Sequence, residues 1–246
     1  MKIASPWKRL QGNHFWRAVD REHNRIIIEQ LAGCTHILDL GCGYGSLTAA
    51  LQQAGFQAVG VDADAEQIAQ ARALFPEAAN ALFPMDAARL EFPDQRFDAI
   101  VLRDTLHHLW EEADTEQAFS EIERILRPGG RLVIFDPNPN FVVRTARRLI
   151  AHQDAECTFQ QARTWLEQRD WKIQRQFFTE LFALPLSGGY VGLELVPAWP
   201  ALYPPLIAAN RILSSALSRW GLGPHLLWRY VLTAVRQTSF GASRTT

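Results

Sequence analysis

Ile37-Leu38-Asp39-Leu40-Gly41-Cys42-Gly43-Tyr44-Gly45, with Val59-Gly60-Val61-Asp62 a helix length later, is the stretch that decides the fold. A short apolar run feeds a glycine loop, a small-faced helix covers Leu47–Ala54, and a second apolar run ends on an acid. Strand, loop, helix and strand in that order open a parallel α/β sheet. Glycines at alternate positions let the backbone turn tightly, approach a ligand and present amides at a helix start. A dinucleotide loop would carry its third glycine where Ser46 stands; here it arrives one residue early, at Gly45. Asp39 would repel a pyrophosphate, and it suits a ligand bearing an ammonium and a sulfonium. Asp62 can accept both hydroxyls of a ribose, or, more plainly, cap the helix that follows.

Outward from this unit the alternation continues. A helix is predicted over Ala65–Leu74, a third strand over Asn80–Phe83, and a strong fourth strand over Phe97–Leu102, apolar as a doubly covered strand should be. A helix from Asp114 to Leu126 is stopped by Arg127-Pro128-Gly129-Gly130, and Arg131–Phe135 forms the fifth strand. Phe159–Gln168 reads as a helix and Lys172–Phe178 as a sixth strand. Trp228–Val235, rich in β-branched and aromatic residues, is its hairpin partner. Before the sheet, Asn13–Leu31 is helical in pattern and lies over the ligand's mouth or packs on the sheet. The expected organisation is an N-terminal helical segment (1–34), an α/β domain (35–180), an apolar cap (181–227), and a last strand and tail (228–246).

Composition narrows the function. The chain has 246 residues, 48% of them hydrophobic, enough for a sizeable core. A formal net charge of −1 gives no electrostatic reason to expect nucleic acid. Cys34, Cys42 and Cys157 lack metal-site spacing, so no metal is expected and reduced thiols in the cytoplasm are. Residues 1–10 carry no signal-type apolar core, and no run is long enough for a simple membrane span.

Taken with Phe97-Asp98-Ala99-Ile100-Val101, Leu106-His107-His108-Leu109 and Leu126-Arg127-Pro128-Gly129-Gly130-Arg131-Leu132, the glycine-loop unit resembles the class I S-adenosylmethionine-dependent methyltransferases, of the broad small-molecule group called type 11. The resemblance covers about residues 35 to 136. It implies a doubly wound, mostly parallel, seven-stranded Rossmann-like sheet, with the cap inserted between strands six and seven. It implies S-adenosylmethionine as cofactor: Asp39 with the Gly41, Cys42 and Gly43 backbone at the methionine end, Asp62 and Ala63 at the ribose, and Met85, Asp86 and Ala87 around the adenine. Arg103 falls where the family's backbone contacts the cofactor. In the family's pattern the second histidine, His108, commonly packs structurally.

Chemistry beyond cofactor binding falls to His107 and His108, at the sheet edge where ligands bind. Either could act as a general base if the acceptor is a hydroxyl; packing is the alternative, and a metal held with Asp104 and Asp136 a remoter one. Asn138 and Asn140, between prolines, could bind an acceptor or merely build a turn. His14 and Trp16 could close over the site or serve as core and surface. The final segment is the most distinctive: between Glu180 and Arg211 the only charged residue is Glu194. With Trp199, Tyr190 and Tyr203, Leu181–Trp220 could wall an apolar acceptor pocket. It could equally dock on a membrane beside Arg144, Arg147 and Arg148, form a homodimer interface, or pack as core. The expectation is methyl transfer to a hydrophobic small molecule, O-methylation favoured. A nicotinamide-dependent oxidoreductase, or a cofactor-binding protein without transferase activity, is the alternative.

Overall fold

The computed structural model describes residues 12, 14–111, 115–149, 156–188 and 195–237. Seven strands form one sheet in the order β3-β2-β1-β4-β5-β7-β6. Helix α1 (His14–Ile28) precedes β1 (His36–Leu40), α2 (Ser46–Gln53), β2 (Gln57–Asp62), α3 (Ala65–Leu74), β3 (Leu82–Pro84) and β4 (Phe97–Arg103). Then come α4 (Leu106–Glu111), α5 (Thr115–Ile125), β5 (Leu126–Pro137), α6 (Phe141–Leu149), α7 (Phe159–Glu167) and β6 (Trp171–Thr179). Helices α8 (Ala183–Leu186), α9 (Tyr203–Arg219) and α10 (Gly223–Leu226) stand between β6 and β7 (Arg229–Arg236). Strands β1 to β5 pair in parallel; β7 is antiparallel to both β5 and β6.

Period-two alternation sends successive side chains to opposite faces. Leu38 and Leu40 join Ile100, Leu102, Leu132 and Ile134 beneath α5 and α7, while Ile37, Ala99, Val101 and Val133 meet Ile27 and Leu31 of the N-terminal segment and Leu47 and Leu51 of α2. The first half of α1 instead packs on the cap: Phe15 and Val19 share a cluster with Leu184, Tyr203 and Ile207. One helix therefore fastens cap to sheet. Asp98, at the far end of β4, accepts the amides of Thr35 and His36 and so aligns β1 against β4.

Several expectations need correction. The third strand starts at Leu82, because Pro76–Ala81 winds into a 3-10 helix. β5 begins at Leu126, directly after α5, so Pro128-Gly129-Gly130 lies inside the strand, next to a register shift opposite β4. His107 and His108, just after β4, lie on helix α4. Asp114, Tyr190 and the side chain of Arg147 lie outside the described residues.

The cap is tied down by a side chain that breaks the usual pattern. Asn210, buried on α9, accepts the amides of Leu181, Phe182 and Ala183 through Oδ1 and so caps the start of α8. Asn210→Ala should leave these amides unsatisfied and cost about 2 kcal/mol, read as a lower denaturant midpoint. Asn210→Asp, which keeps the accepting oxygen, should recover most of it.

Candidate active site

Strand order reverses between β1 and β4: the chain runs outward from β1 through β2 to β3, then returns to β4. Open α/β sheets bind ligands in the crevice at that switch point, beyond the carboxyl ends of the strands. Gly41–Gly45 rims it from β1 and Arg103–Thr105 from β4. The two rims touch, since Thr105 Oγ1 donates to the carbonyls of Gly41 and Arg103 at 3.3 and 3.0 Å. A Cβ on Gly41 would sit 2.3 Å from that oxygen, and the φ of Gly41 is +75°, so a side chain is excluded twice over. A Cβ on Gly43 would meet nothing nearer than Gln67, 3.5 Å away, so this part of the loop keeps open space beside it.

Asp62, half-buried at the end of β2, accepts the Gly43 amide at 2.8 Å and the Asp64 amide at 2.9 Å. The helix cap is Asp64, whose carboxylate accepts the amides of Glu66 and Gln67. Asp62 thus has no capping duty. Its carboxylate can accept several more hydrogen bonds, and it stands against the loop. Met85 donates its amide to the Asp62 carbonyl, which brings the Met85–Ala87 stretch beside the same strand end. Asp86 is exposed and accepts the Ala88 amide; Met85 and Ala87 are half-buried against the core.

Asp39 is placed differently. It is 1% exposed, accepts the Thr48 hydroxyl at 2.7 Å, and its other oxygen is buried without a hydrogen-bond partner. Burial raises its pKa to about 6, against the Thr48 hydrogen bond and the Arg103 charge. Its charge therefore acts from beneath the loop, a buried anion that a cationic ligand above would offset. The sign follows: an ionisation made harder by folding favours the native state at low pH and is lost as pH rises through about 6. Stabilisation by a sulfonium ligand should accordingly grow from about pH 5 to about pH 7.5. Asp39→Asn should flatten that dependence in thermal-shift titrations. The Cys42 thiol, buried beside Asp39 and Asp62, is pushed far up by burial and stays protonated.

Arg103 is the last residue of β4, and its side chain reaches Asp20 and Asn24 of α1, both at 2.5 Å, and Ser46 of the loop at 3.4 Å. It fastens α1 over the crevice. His14 is exposed beside Arg17, and Trp16 packs half-buried near the cap cluster.

Of the two histidines it is His107, not His108, that packs inside. His107 is buried, and its Nδ1 lies 3.1 and 3.0 Å from the two oxygens of Asp136, which also accepts the His107 amide. His108 is exposed, its ring 4.2 Å from that of His107. Bonding to a carboxylate assigns the proton to Nδ1 and leaves Nε2 as the accepting nitrogen. Asn138 and Asn140 face inward. Asn138 donates to the carbonyls of Pro224 and Leu227, Asn140 to Leu227, and Asn140 also caps α6. Their bonds are structural.

Further polar groups meet at this edge that no spacing announced. His23 Nε2 lies 2.7 Å from Glu180, both buried; burial lowers the His23 pKa against the pull of Glu180, so a neutral imidazole donates. Arg229 pairs with Asp104 and lies over the Phe135 ring. Asp104 and Glu180 both hold positive φ, +55° and +71°, strain of a kind that clusters at functional sites. In the sequence, Glu180 was visible only as the last charge before the uncharged run. Among the described residues no group of three or more His, Cys, Asp or Glu is placed to hold a metal ion.

A glycine loop bonded to the acid of the next strand, at the switch point of a sheet whose seventh strand is antiparallel, defines the class I methyltransferase fold. Residues 38–134 match the family model described as Methyltransferase domain. A probable S-adenosylmethionine-dependent methyltransferase of Mycolicibacterium smegmatis is 32% identical over 52% of this chain and 47% of its own length. An O-methyltransferase of Aspergillus sclerotiorum is 35% identical over 44% and 45%. The crystal structure of a SAM-dependent methyltransferase from Archaeoglobus fulgidus superposes with a TM-score of 0.63 at 18% identity, covering 93% of this chain and 98% of that one. Residues 38–134 thus carry the match to a methyltransferase domain, on a fold shared with class I methyltransferases. The chain spans less than half the length of these curated relatives.

Proposed function

We propose that the chain transfers a methyl group from S-adenosylmethionine to a hydrophobic small molecule, O-methylation being favoured. The observation that carries the reading is the buried His107–Asp136 pair, at the sheet edge beside the glycine-loop crevice. Bound S-adenosylmethionine supplies a methyl on a sulfonium, with a neutral thioether as leaving group. Asp62 would accept the ribose hydroxyls while keeping its hold on Gly43, and Ala63 would follow it along the ribose. The backbone of Gly41, Cys42 and Gly43 would face the methionine end, and Met85, Asp86 and Ala87 the adenine. His107 Nε2 would take the acceptor's hydroxyl proton, leaving the oxygen free to accept the methyl that the bound cofactor would supply. Asp136 holds the imidazole in the required tautomer and stabilises the imidazolium that results. Holding acceptor and methyl in line supplies most of the remaining acceleration.

Trp199 does not support a pocket wall: it is 66% exposed, whereas Tyr203 is buried against Phe15 at 5.3 Å. What supports a hydrophobic acceptor is the surface of the cap, whose exposed apolar side chains favour peripheral contact with a membrane. The test is incubation with methyl-labelled S-adenosylmethionine and fractionated cell extract. Label in lipid-soluble products is the expected result. Label confined to water-soluble products overturns the hydrophobic acceptor, and tight binding without turnover overturns transferase activity.

A further inference from the structure

Helix α9 is amphipathic in the wrong sense. Its buried face carries Tyr203 and Ile207 but also Asn210 and Ser214, while Ile212 and Leu213 face solvent, Ile212 at 67% exposure. The run of exposed apolar side chains continues through Trp220 (75%) just past its end, Leu222 in the following turn and Leu226 on α10. Helix α10 packs against α6, and Asn138 and Asn140 bond its carbonyl region to the entry of α6, where Phe141 is 82% exposed. Large side chains of this kind, contiguous over three elements, exceed what scattered surface exposure explains.

The helices of this face carry charges of one sign. The sequence holds no aspartate or glutamate from Leu195 to Thr246, nor any within the α6 span. Exposed Arg148 on α6 and Arg219 on α9 interleave with the apolar residues; Arg144 and Arg211 stand on the same two helices, engaged by Glu156 and Glu22. An isologous dimer would gather arginines of both copies in one interface, to which the helices forming it contribute no acid. An anionic bilayer complements it: indole, phenyl and leucyl groups enter the headgroup boundary while guanidinium groups meet lipid phosphate.

We propose that the outer face of α9, α10 and the start of α6 docks on an anionic lipid surface, with Phe141, Ile212 and Trp220 inserted and Arg148 and Arg219 at the phosphates. The face adjoins the active-site edge, because Trp228, just after α10, donates its amide to the Glu180 carbonyl. Docking thus sets the site beside the membrane. The inference rests on the hydrophobic-acceptor reading only for its purpose, not for its test.

The experiment is co-sedimentation of the full chain with vesicles of phosphatidylcholine alone and with about one third phosphatidylglycerol, with S-adenosylmethionine affinity measured in parallel by calorimetry. The expected result is binding to the anionic vesicles at least about tenfold tighter than to neutral ones, weakened by salt. Phe141→Ser with Trp220→Ser, both at solvent positions, should reduce that binding about tenfold with cofactor affinity and melting temperature intact. Arg219→Gln should narrow the difference between the two vesicle types. Absence of binding to either vesicle overturns the proposal, as does a concentration-dependent dimer that the double variant abolishes. Retained cofactor binding in either case leaves the methyltransferase reading standing.

Discussion

Asp62→Ala lowers the affinity for S-adenosylmethionine by about tenfold or more, the expected loss of a charged acceptor for two hydroxyls. The carboxylate has a second duty, since it holds the Gly43 amide and so the shape of the loop. Removing it should weaken cofactor and product alike, because both carry the ribose. Asp64→Ala, two residues on, is the control. It removes the cap of α3 and should cost about 1 kcal/mol of stability while leaving affinity unchanged. Calorimetry on both variants separates the roles, and an unchanged affinity for Asp62→Ala would sink the ribose assignment.

His107→Gln should lower turnover about 100-fold or more while cofactor affinity holds, the range expected when a general base is lost. Glutamine can still donate towards Asp136, so the buried carboxylate keeps a partner and the fold survives. Asp136→Asn should act in the same direction by releasing the imidazole from its tautomer. The readout that separates chemistry from packing is the pH profile of turnover. With a histidine base, the pH profile of turnover differs between the wild type and His107→Gln. A variant that loses activity, melting temperature and cofactor affinity together, with its pH profile unaltered, would make His107 a packing residue.

Much of the sheet was legible because its central strands are buried on both faces or end on a glycine or an acid, and such runs leave a clear pattern. Trp228–Val235 could be recognised as a strand from its β-branched and aromatic side chains, and Lys172–Phe178 needed a partner beside it; the antiparallel register is what the structure adds. The third strand starts two residues later than expected because Asn80 and Ala81, both poor strand formers, belong to the 3-10 turn that begins at Pro76. Asp39 and Asp62 stood out by position, yet only the structure shows one beneath the loop and the other beside it. Which of His107 and His108 is buried turns on a single residue of helical phase after β4, with Asp136 as the partner 29 residues on. His23 with Glu180, and Arg229 with Asp104, span 157 and 125 residues. Contacts that long are made by topology and leave no local trace.

The place of β7 has a consequence for how the molecule is made. β6 pairs only with β7, and β7 is inserted between it and β5. During synthesis, α1 through β5 can assemble while β6 and the cap have nothing in the sheet to join, and β5 offers a bare, strongly apolar edge. Arg229, which pairs with Asp104 over the Phe135 ring, arrives on that same last strand. The half of the sheet that carries the glycine loop can therefore form early on the ribosome, but the sheet becomes whole only after residue 236 has emerged, and until then the nascent chain is unfinished and in need of shelter.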